Sequence, residues 1–289
     1  MTTLGAVFLP QLPPERLRPV ARAAEEAGLE ELWLWEDCFF ESGIASAAAV
    51  LGWTERLRIG VGLLPAPLRN VALTAMEVST LHRMFPGRVL VGVGHGVQEW
   101  MAQVGARHPS PMKLLRAYVS TLRALLRGEQ VTLAGDGVSL DRVALEWPAP
   151  SATVYVGAIG PRTLRLSGEL ADGTILTAGT SPDGVRRARE LIDQGRAAGG
   201  RIEPHPVVCY LLAATGPGAA DRIEAERRNA GIDPAADAAV AGEADAVAEA
   251  VHRWAQAGAD TVVLQPTRHD PDPEAFVRFV ATEVRPRIR

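Results

Sequence analysis

Short apolar runs alternate with amphipathic segments along the chain. The apolar runs are bounded by Gly, Pro, Asn or Asp and are too short for helices, so they predict buried strands. The predicted strands cover residues 4–9, 32–35, 57–64, 88–93, 154–156, 174–177, 207–213 and 261–264. Apolar residues at helical spacing predict helices over 15–27, 44–53, 70–84, 112–126, 182–197, 218–230, 243–257 and 273–284, and a further helix from residue 161.

Three of the predicted helices end in the same way. Ala27-Gly28, Ala171-Asp172-Gly173 and Ala257-Gly258-Ala259-Asp260 each form a tight turn that leads into a buried strand. Eight such units close into a TIM barrel, whereas an open doubly wound sheet is the alternative. The count of eight strands and the uniform composition favour one barrel domain over residues 1–289.

The repeat lengthens between the fourth and fifth predicted strands. Besides the helix over 112–126, this part of the chain contains two short apolar runs, 131–133 and 138–145. Gly135-Asp136-Gly137 lies between them, which is typical of a β-hairpin. We therefore expect an insertion over about residues 100–150.

Composition narrows the class of protein. The chain has 289 residues, 47% of them hydrophobic and 22% charged, with a net charge of −4, so neither nucleic acid nor an anionic membrane is an expected partner. Two cysteines, Cys38 and Cys209, exclude a disulfide framework, and the six histidines lack metal-ligand spacing. With no readable signal peptide or membrane span, we expect a cytoplasmic protein without a bound metal.

Active sites of TIM barrels lie at the carboxyl ends of the strands. Glu36 and Asp37 follow the second strand and could act as acid or base, although adjacent residues point to opposite faces and only one is expected in the site. Cys38 is either a nucleophile or an inert buried thiol. His95 is the histidine placed at a strand end, after the fourth strand.

Two glycine-containing turns follow the fifth and sixth strands. Gly157-Ala-Ile-Gly160-Pro161 leads directly into a helix, whose first amides suit a phosphate group. Residues 177–181 repeat this arrangement and add hydroxyl groups. Gly92-x-Gly94-x-Gly96 is not the dinucleotide motif, because its third glycine comes one residue early. The two turns together favour a phosphorylated ligand or cofactor.

Three runs of sequence resemble the luciferase-like (bacterial luciferase) superfamily of flavin- and deazaflavin-dependent oxidoreductases. They are GLEELWLWEDCFF, TERLRIGVGLLPAPLRNVALTAMEVSTLHRMFPGRVLVGVGHG and VYVGAIGPRTLRLSGELADGTIL. The middle run, with Arg69 and Pro86-Gly87-Arg88, is the most specific. The resemblance is strong over residues 1 to about 180, is greatest to the branch that uses coenzyme F420, and implies a TIM barrel with an insertion.

The resemblance also implies a cofactor site. The ring would lie at the barrel mouth against a bulged third strand with a non-prolyl cis peptide, which maps onto Gly62-Leu63. The ribityl chain or the ring edge would meet loop 94–98. The implied cofactor-binding residues are Gly62, Leu63, Gly94, His95, Gly96, Val97, Gln98, Gly157, Ala158, Ile159, Gly160, Pro161, Thr177, Ala178, Gly179 and Thr180. Deazaflavin enzymes of the family often carry Asp-His after the second strand, and here that pair is Asp37-Cys38. With the histidine missing, the resemblance implies that Asp37 or a group on the substrate serves as the general acid.

The expected activity is hydride transfer between F420 and a small organic substrate, with Asp37, Glu36 and His95 as candidate catalytic residues. FMN on the same scaffold would instead permit monooxygenation. A lyase or isomerase acting on a phosphorylated metabolite, and a non-catalytic carrier, are further alternatives. Ala- and Leu-rich helices over 44–53 and 70–84 lead us to expect a homodimer.

Overall fold

Eight parallel strands form a closed barrel in the computed structural model, which describes residues 2–288. The strands, in chain order, are β1 Thr3–Val7, β2 Glu31–Leu34, β3 Arg58–Pro65, β4 Val89–Gly94, β5 Val131–Gly135, β6 Val138–Val143, β7 Val154–Gly157, β8 Gly173–Leu176, β9 Val207–Ala214, β10 Ala239–Ala241 and β11 Thr261–Gln265. The barrel order is β1-β2-β3-β4-β7-β8-β9-β11, and β11 pairs with β1 to close it. The predicted TIM barrel is therefore confirmed.

Helices surround the barrel. They are α1 Leu17–Ala27, α2 Gly43–Trp53, α3 Val71–Met84, α4 Gln98–Gln103, α5 Pro111–Leu126, α6 Pro161–Leu170, α7 Pro182–Ala198, α8 Ala219–Ala230, α9 Ala244–Ala257 and α10 Pro273–Phe279. Side chains cap four of them, with Ser42 accepting from Ala45 N, Asn70 from Ala72 N, Ser181 from Gly184 N and Asp272 from Ala275 N. No helix within residues 2–288 is long and apolar enough to cross a membrane.

Three local features differ from the sequence predictions. The short helix α4 begins at Gln98, the last residue of loop 94–98. Its six residues are too few for a helical apolar period to be visible in the sequence. The helix predicted over 273–284 is α10 followed by a π-helical turn over Val280–Val284. The short strand β10 pairs in parallel with the last residues of β9, at the point where β9 extends past the end of β8. The hairpin β5–β6 lies in the expected insertion, while a single domain over residues 1–289 stays a prediction.

The barrel interior pairs large side chains with glycines of other strands. A Cβ on each of these glycines would meet the opposing side chain, and the pairs are Gly60 with Trp33, Gly62 with Tyr210, Gly92 with Ile175 and Gly173 with Tyr155. At Gly60 the added Cβ would lie 2.3 Å from the indole ring of Trp33, which is fully buried. The glycines in β3 are thus required first of all by packing.

The change Gly60→Ala should lower the free energy of unfolding by about 1–3 kcal/mol, because the ring of Trp33 has no space to retreat. The matched control is Gly52→Ala in α2, where a Cβ would meet no heavy atom within 4 Å. That variant should be neutral or slightly stabilising. Urea denaturation of both variants is the measurement, and equal stabilities would contradict this account of the interior.

Candidate active site

Glu36 lies at the end of β2 with its carboxylate turned away from the barrel axis. It is buried, it accepts a hydrogen bond from Gly43 N at 2.9 Å, and both of its oxygens accept from Arg69 Nη1 at 3.0 and 3.1 Å. Arg69 also pairs with Glu77 of α3. Because both oxygens are engaged, the geometry favours a role for Glu36 in fixing α2 and α3 to the barrel rather than the acid or base role expected from sequence.

Asp37 is in a different position. Its side chain is half-buried, and within residues 2–288 it has neither a hydrogen-bond partner nor an ion pair. Burial raises the pKa of this carboxyl above its ordinary value. Burial, followed by the charges of Glu31 and Asp37, raises the pKa of the Tyr210 phenol. An unpaired carboxyl that holds its proton to a higher pH is suited to proton transfer.

Cys38 does not have the environment of a nucleophile. Burial, followed by the charges of Glu36 and Asp37, raises the pKa of its thiol. Its peptide bond to Phe39 is cis. A buried thiol with a raised pKa is unreactive, so the inert alternative is the one that the environment supports.

Gly62 and Leu63 form the bulge that the family resemblance implied. The Gly62–Leu63 peptide is cis, and the register of β3 on β4 shifts between Val61 and Leu64. The side chain of Leu63 crosses the ends of the next two strands, since a Cβ on Gly94 or Gly157 would lie 2.6 or 2.2 Å from its Cδ2. These two glycines let a leucine side chain lie flat across the barrel mouth.

Two aromatic side chains lie beneath this mouth. The ring centroids of Trp35 and Tyr210 are 5.5 Å apart, and the Tyr210 hydroxyl donates to the Gly62 carbonyl at 3.2 Å. Trp35 and Ala178 are half-buried against the interior cluster. Sequence reasoning missed both aromatics as site residues, although each is an aromatic residue within a predicted barrel strand or at its end. A substitution at Gly62 would disturb Tyr210 as well as any bound ring.

Loop 94–98 and the start of α6 are brought together. His95 Nε2 is hydrogen-bonded to Thr163 Oγ1 at 3.2 Å, and Gln98 donates to the carbonyl oxygens of His95 and Gly96 at 3.1 and 3.4 Å. Burial lowers the pKa of His95, so its ring is neutral near pH 7. His95, Gln98 and Gly160 line a groove of about 610 Å³. His95 and Gln98 therefore hold the loop in place, and Thr163 is a partner that sequence reasoning missed.

The α6 N-terminus has free hydrogen-bonding capacity. Gly160 is the N-cap, it offers no side chain to cap the helix, and Pro161 is the first helical residue. Ile159, Gly160 and Pro161 are exposed, and a Cβ on Gly160 would meet nothing within 4 Å. Open space in front of uncapped amides suits an anion. Gly157 and Ala158 are less exposed and connect this turn to β7.

The turn over 177–180 is closed on itself. The Thr180 hydroxyl donates to the Thr177 carbonyl at 2.8 Å, and Trp254 Nε1 donates to the Thr180 carbonyl at 2.9 Å. Gly179 has a φ of 94°, which favours glycine. The Thr180 hydroxyl proton is thus engaged within the turn, and contact of residues 177–180 with a phosphate stays a prediction. Thr177 and Ala178 are half-buried at the end of β8.

The two adjacent carboxyls should respond oppositely to neutralisation. Glu36→Gln should lower the free energy of unfolding by about 2–4 kcal/mol, because it removes one partner of a buried ion pair. Asp37→Asn should leave stability equal or higher at pH 7, because it removes a desolvated charge without a partner.

The raised pKa of Asp37 predicts how the free energy of unfolding changes with pH. A raised folded pKa means that stability falls as the pH rises from the ordinary value of 3.8 through the folded value. Asp37→Asn should remove that part of the pH dependence. Urea titrations from pH 4 to 8 measure it, and a strongly destabilised Asp37→Asn variant would contradict the assignment.

Comparison with known proteins places this geometry in a family. The model of a family described as luciferase-like monooxygenase matches residues 3–235. The 5,10-methylenetetrahydromethanopterin reductase of Methanolobus tindarius is 29% identical over 259 residues, which cover 83% of this chain and 78% of the relative. The F420-dependent glucose-6-phosphate dehydrogenase of Microbacterium testaceum is 26% identical over an alignment of 322 positions, which covers 96% of this chain and 95% of the relative.

A solved structure supports the fold over the full length. An F420-dependent secondary alcohol dehydrogenase in complex with an F420–acetone adduct superposes with a TM-score of 0.88 at 22% identity, covering 100% of this chain and 99% of that one. The family match spans far more than half of the chain, and it confirms the resemblance seen in the sequence. The chain belongs to the luciferase-like monooxygenase family.

Proposed function

We propose that the protein is an oxidoreductase that binds coenzyme F420 at the barrel mouth and transfers a hydride between the deazaflavin and a small organic substrate. One observation carries the proposal: the flat apolar surface of Leu63 over Gly94 and Gly157 lies at the strand ends that lead to the uncapped amides of α6. A cofactor in which a ring system is joined to a phosphate needs an apolar surface for the ring and hydrogen-bond donors for the phosphate. Relatives named as F420-dependent support the choice of cofactor.

The residues present fit such a cofactor. Leu63 would support one face of the ring, and the amides after Gly160 would bind the phosphate. Glycine at 94 and 157 is needed for this surface, because a Cβ at either position would displace Leu63. When bound, the deazaflavin carries the hydride on its C5.

Asp37 is the chain's own group for proton transfer. Reduction of a carbonyl, or oxidation of an alcohol, moves a proton as well as a hydride, and burial raises the pKa of the Asp37 carboxyl, which favours its proton-donating form. With Glu36 bound to Arg69, Asp37 is the carboxyl left at this strand end. We propose Asp37 as the proton donor or acceptor in place of the histidine that Cys38 replaces.

Binding spectra test the proposed function. Titration of the purified protein with F420 should shift the deazaflavin absorbance, and FMN should bind more weakly. Preferential binding of FMN with oxygen consumption would favour the monooxygenase alternative. Binding of neither would favour the lyase or isomerase, and F420 binding without turnover on any alcohol or carbonyl compound would favour a carrier.

In an active enzyme, Asp37→Asn should lower kcat and flatten its pH profile while F420 still binds.

Gly160→Asp should weaken F420 binding at least tenfold, because its carboxylate would stand beside the phosphate at the α6 N-terminus. The matched control is Gly160→Ala, which adds a Cβ into open space without a charge. The φ of −82° allows both replacements, so the fold should persist. Fluorescence titration is the measurement, and an unchanged affinity in folded Gly160→Asp would remove the phosphate role.

We also propose a homodimer through α3. Leu73, Met76 and Met84 are 48%, 57% and 63% exposed and lie with Thr80 on one face of this helix. An apolar stripe of this kind on a surface helix marks an interaction site.

Light scattering at micromolar concentration should give the mass of a dimer for the native protein. Met76→Arg should give the mass of a monomer, because it buries an unpaired charge in the interface. Ser120→Arg on the exposed face of α5 is the control and should remain dimeric. A monomeric native protein would end the proposal.

Location in the cytoplasm remains a proposal. The two cysteines, Cys38 and Cys209, are both free and buried, which suits a reducing compartment.

A further inference from the structure

A groove leaves the α6 N-terminus and runs outward between α5 and α6. It consists of two adjoining cavities that share Met112 and Arg162 in their walls. The inner cavity, of about 610 Å³, begins at His95 and Gly160, and the outer cavity, of about 310 Å³, extends to Glu169. The groove therefore starts at the proposed phosphate turn and ends at the protein surface.

The outer groove is strongly basic although the chain as a whole has a net charge of −4. Its charged lining residues are Lys113, Arg116, Arg162, Arg165 and Glu169. Glu169 neutralises Arg116 through two hydrogen bonds of 2.6 Å, so the only acid in the lining is already paired.

The other three cations keep their charge available. Arg165 donates to neutral groups, Gln194 Oε1 and the Pro161 carbonyl. Arg162 is exposed and has no hydrogen-bond or ion-pair partner within residues 2–288. Lys113 Nζ is 4.0 Å from Asp136, and both of these side chains are exposed, so solvent screens that pair. Within residues 2–288, Arg162 and Arg165 have no ionic partner and Lys113 has only a solvent-screened one, so the groove favours an anionic occupant.

We infer that this groove binds the anionic tail of the cofactor, an inference that rests on the proposed function. In coenzyme F420 the ribityl phosphate continues through a lactyl unit into γ-linked glutamates, each with a free carboxylate. A tail that leaves a phosphate held at Gly160 enters the groove at its inner end. From Gly160 to Glu169 the groove follows α6 for about 14 Å, enough for roughly two or three such glutamates.

Tail length is the variable that tests the inference. Native protein should bind F420 with several glutamates more tightly than the phospholactyl deazaflavin that lacks them, and the difference should shrink as salt rises. The double variant Arg162→Gln, Arg165→Gln should reduce the preference for the tailed cofactor roughly fivefold to tenfold at low salt. The control Arg22→Gln removes the same kind of charge from an exposed site on α1, where it should leave the preference unchanged.

The outcomes separate this inference from the proposed function. If native protein binds the tailed and tailless deazaflavins equally at low salt, the groove is not a tail site, although the F420 function stands. A double variant that loses affinity for both cofactors equally would assign the arginines to the phosphate and overturn the tail site. If neither deazaflavin binds the native protein, both the function and the inference fail.

Discussion

The fixed volume of the eight-stranded barrel is the constraint on which the rest of the structure depends. Bulky side chains fill it, and four of them have room because another strand carries glycine at the opposing position, as Gly60 does for Trp33. This packing reaches the top of the barrel, where the Tyr210 hydroxyl donates to the carbonyl of Gly62. The cofactor surface proposed at Leu63 thus rests directly on the interior layer beneath it.

The adjacent residues Glu36 and Asp37 differ in their environment after β2, because only Glu36 is held in an ion pair. Glu36 connects β2 to the first turn of α2 and, through Arg69, to α3, whereas the Asp37 side chain has no hydrogen-bond or ion-pair partner among the described residues. Pairing stabilises the buried carboxylate of Glu36, whereas burial raises the pKa of the Asp37 carboxyl. The ion pair also fixes the segment after β2 that carries Asp37, so the proton donor or acceptor proposed here lies on a rigid part of the chain.

The barrel was predictable because its signals are local. Apolar runs bounded by Gly and Asp marked the strands, and the spacing of helix, turn and strand marked their parallel order. The pairing of Glu36 with Arg69 was not, because it joins residues 33 positions apart and depends on how α3 packs. The place of Tyr210 beneath the site was not predictable for the same reason, since only closure of the barrel brings β9 opposite Gly62. The closed turn at Thr180 depends on Trp254, 74 residues away.

Glycine has two distinct uses in this mouth, and only one of them depends on backbone conformation. Gly179 adopts a φ of 94° that side chains rarely tolerate. Gly94 and Gly157 serve instead by lacking a Cβ, because each makes space for the side chain of Leu63. Neither backbone conformation nor packing requires glycine at position 160, since its φ is ordinary and its surroundings are open. A methyl group at Gly160 would displace no neighbour, so the phosphate contact proposed here depends on the free amides of α6 and on the absence of an acidic side chain, and not on glycine as such.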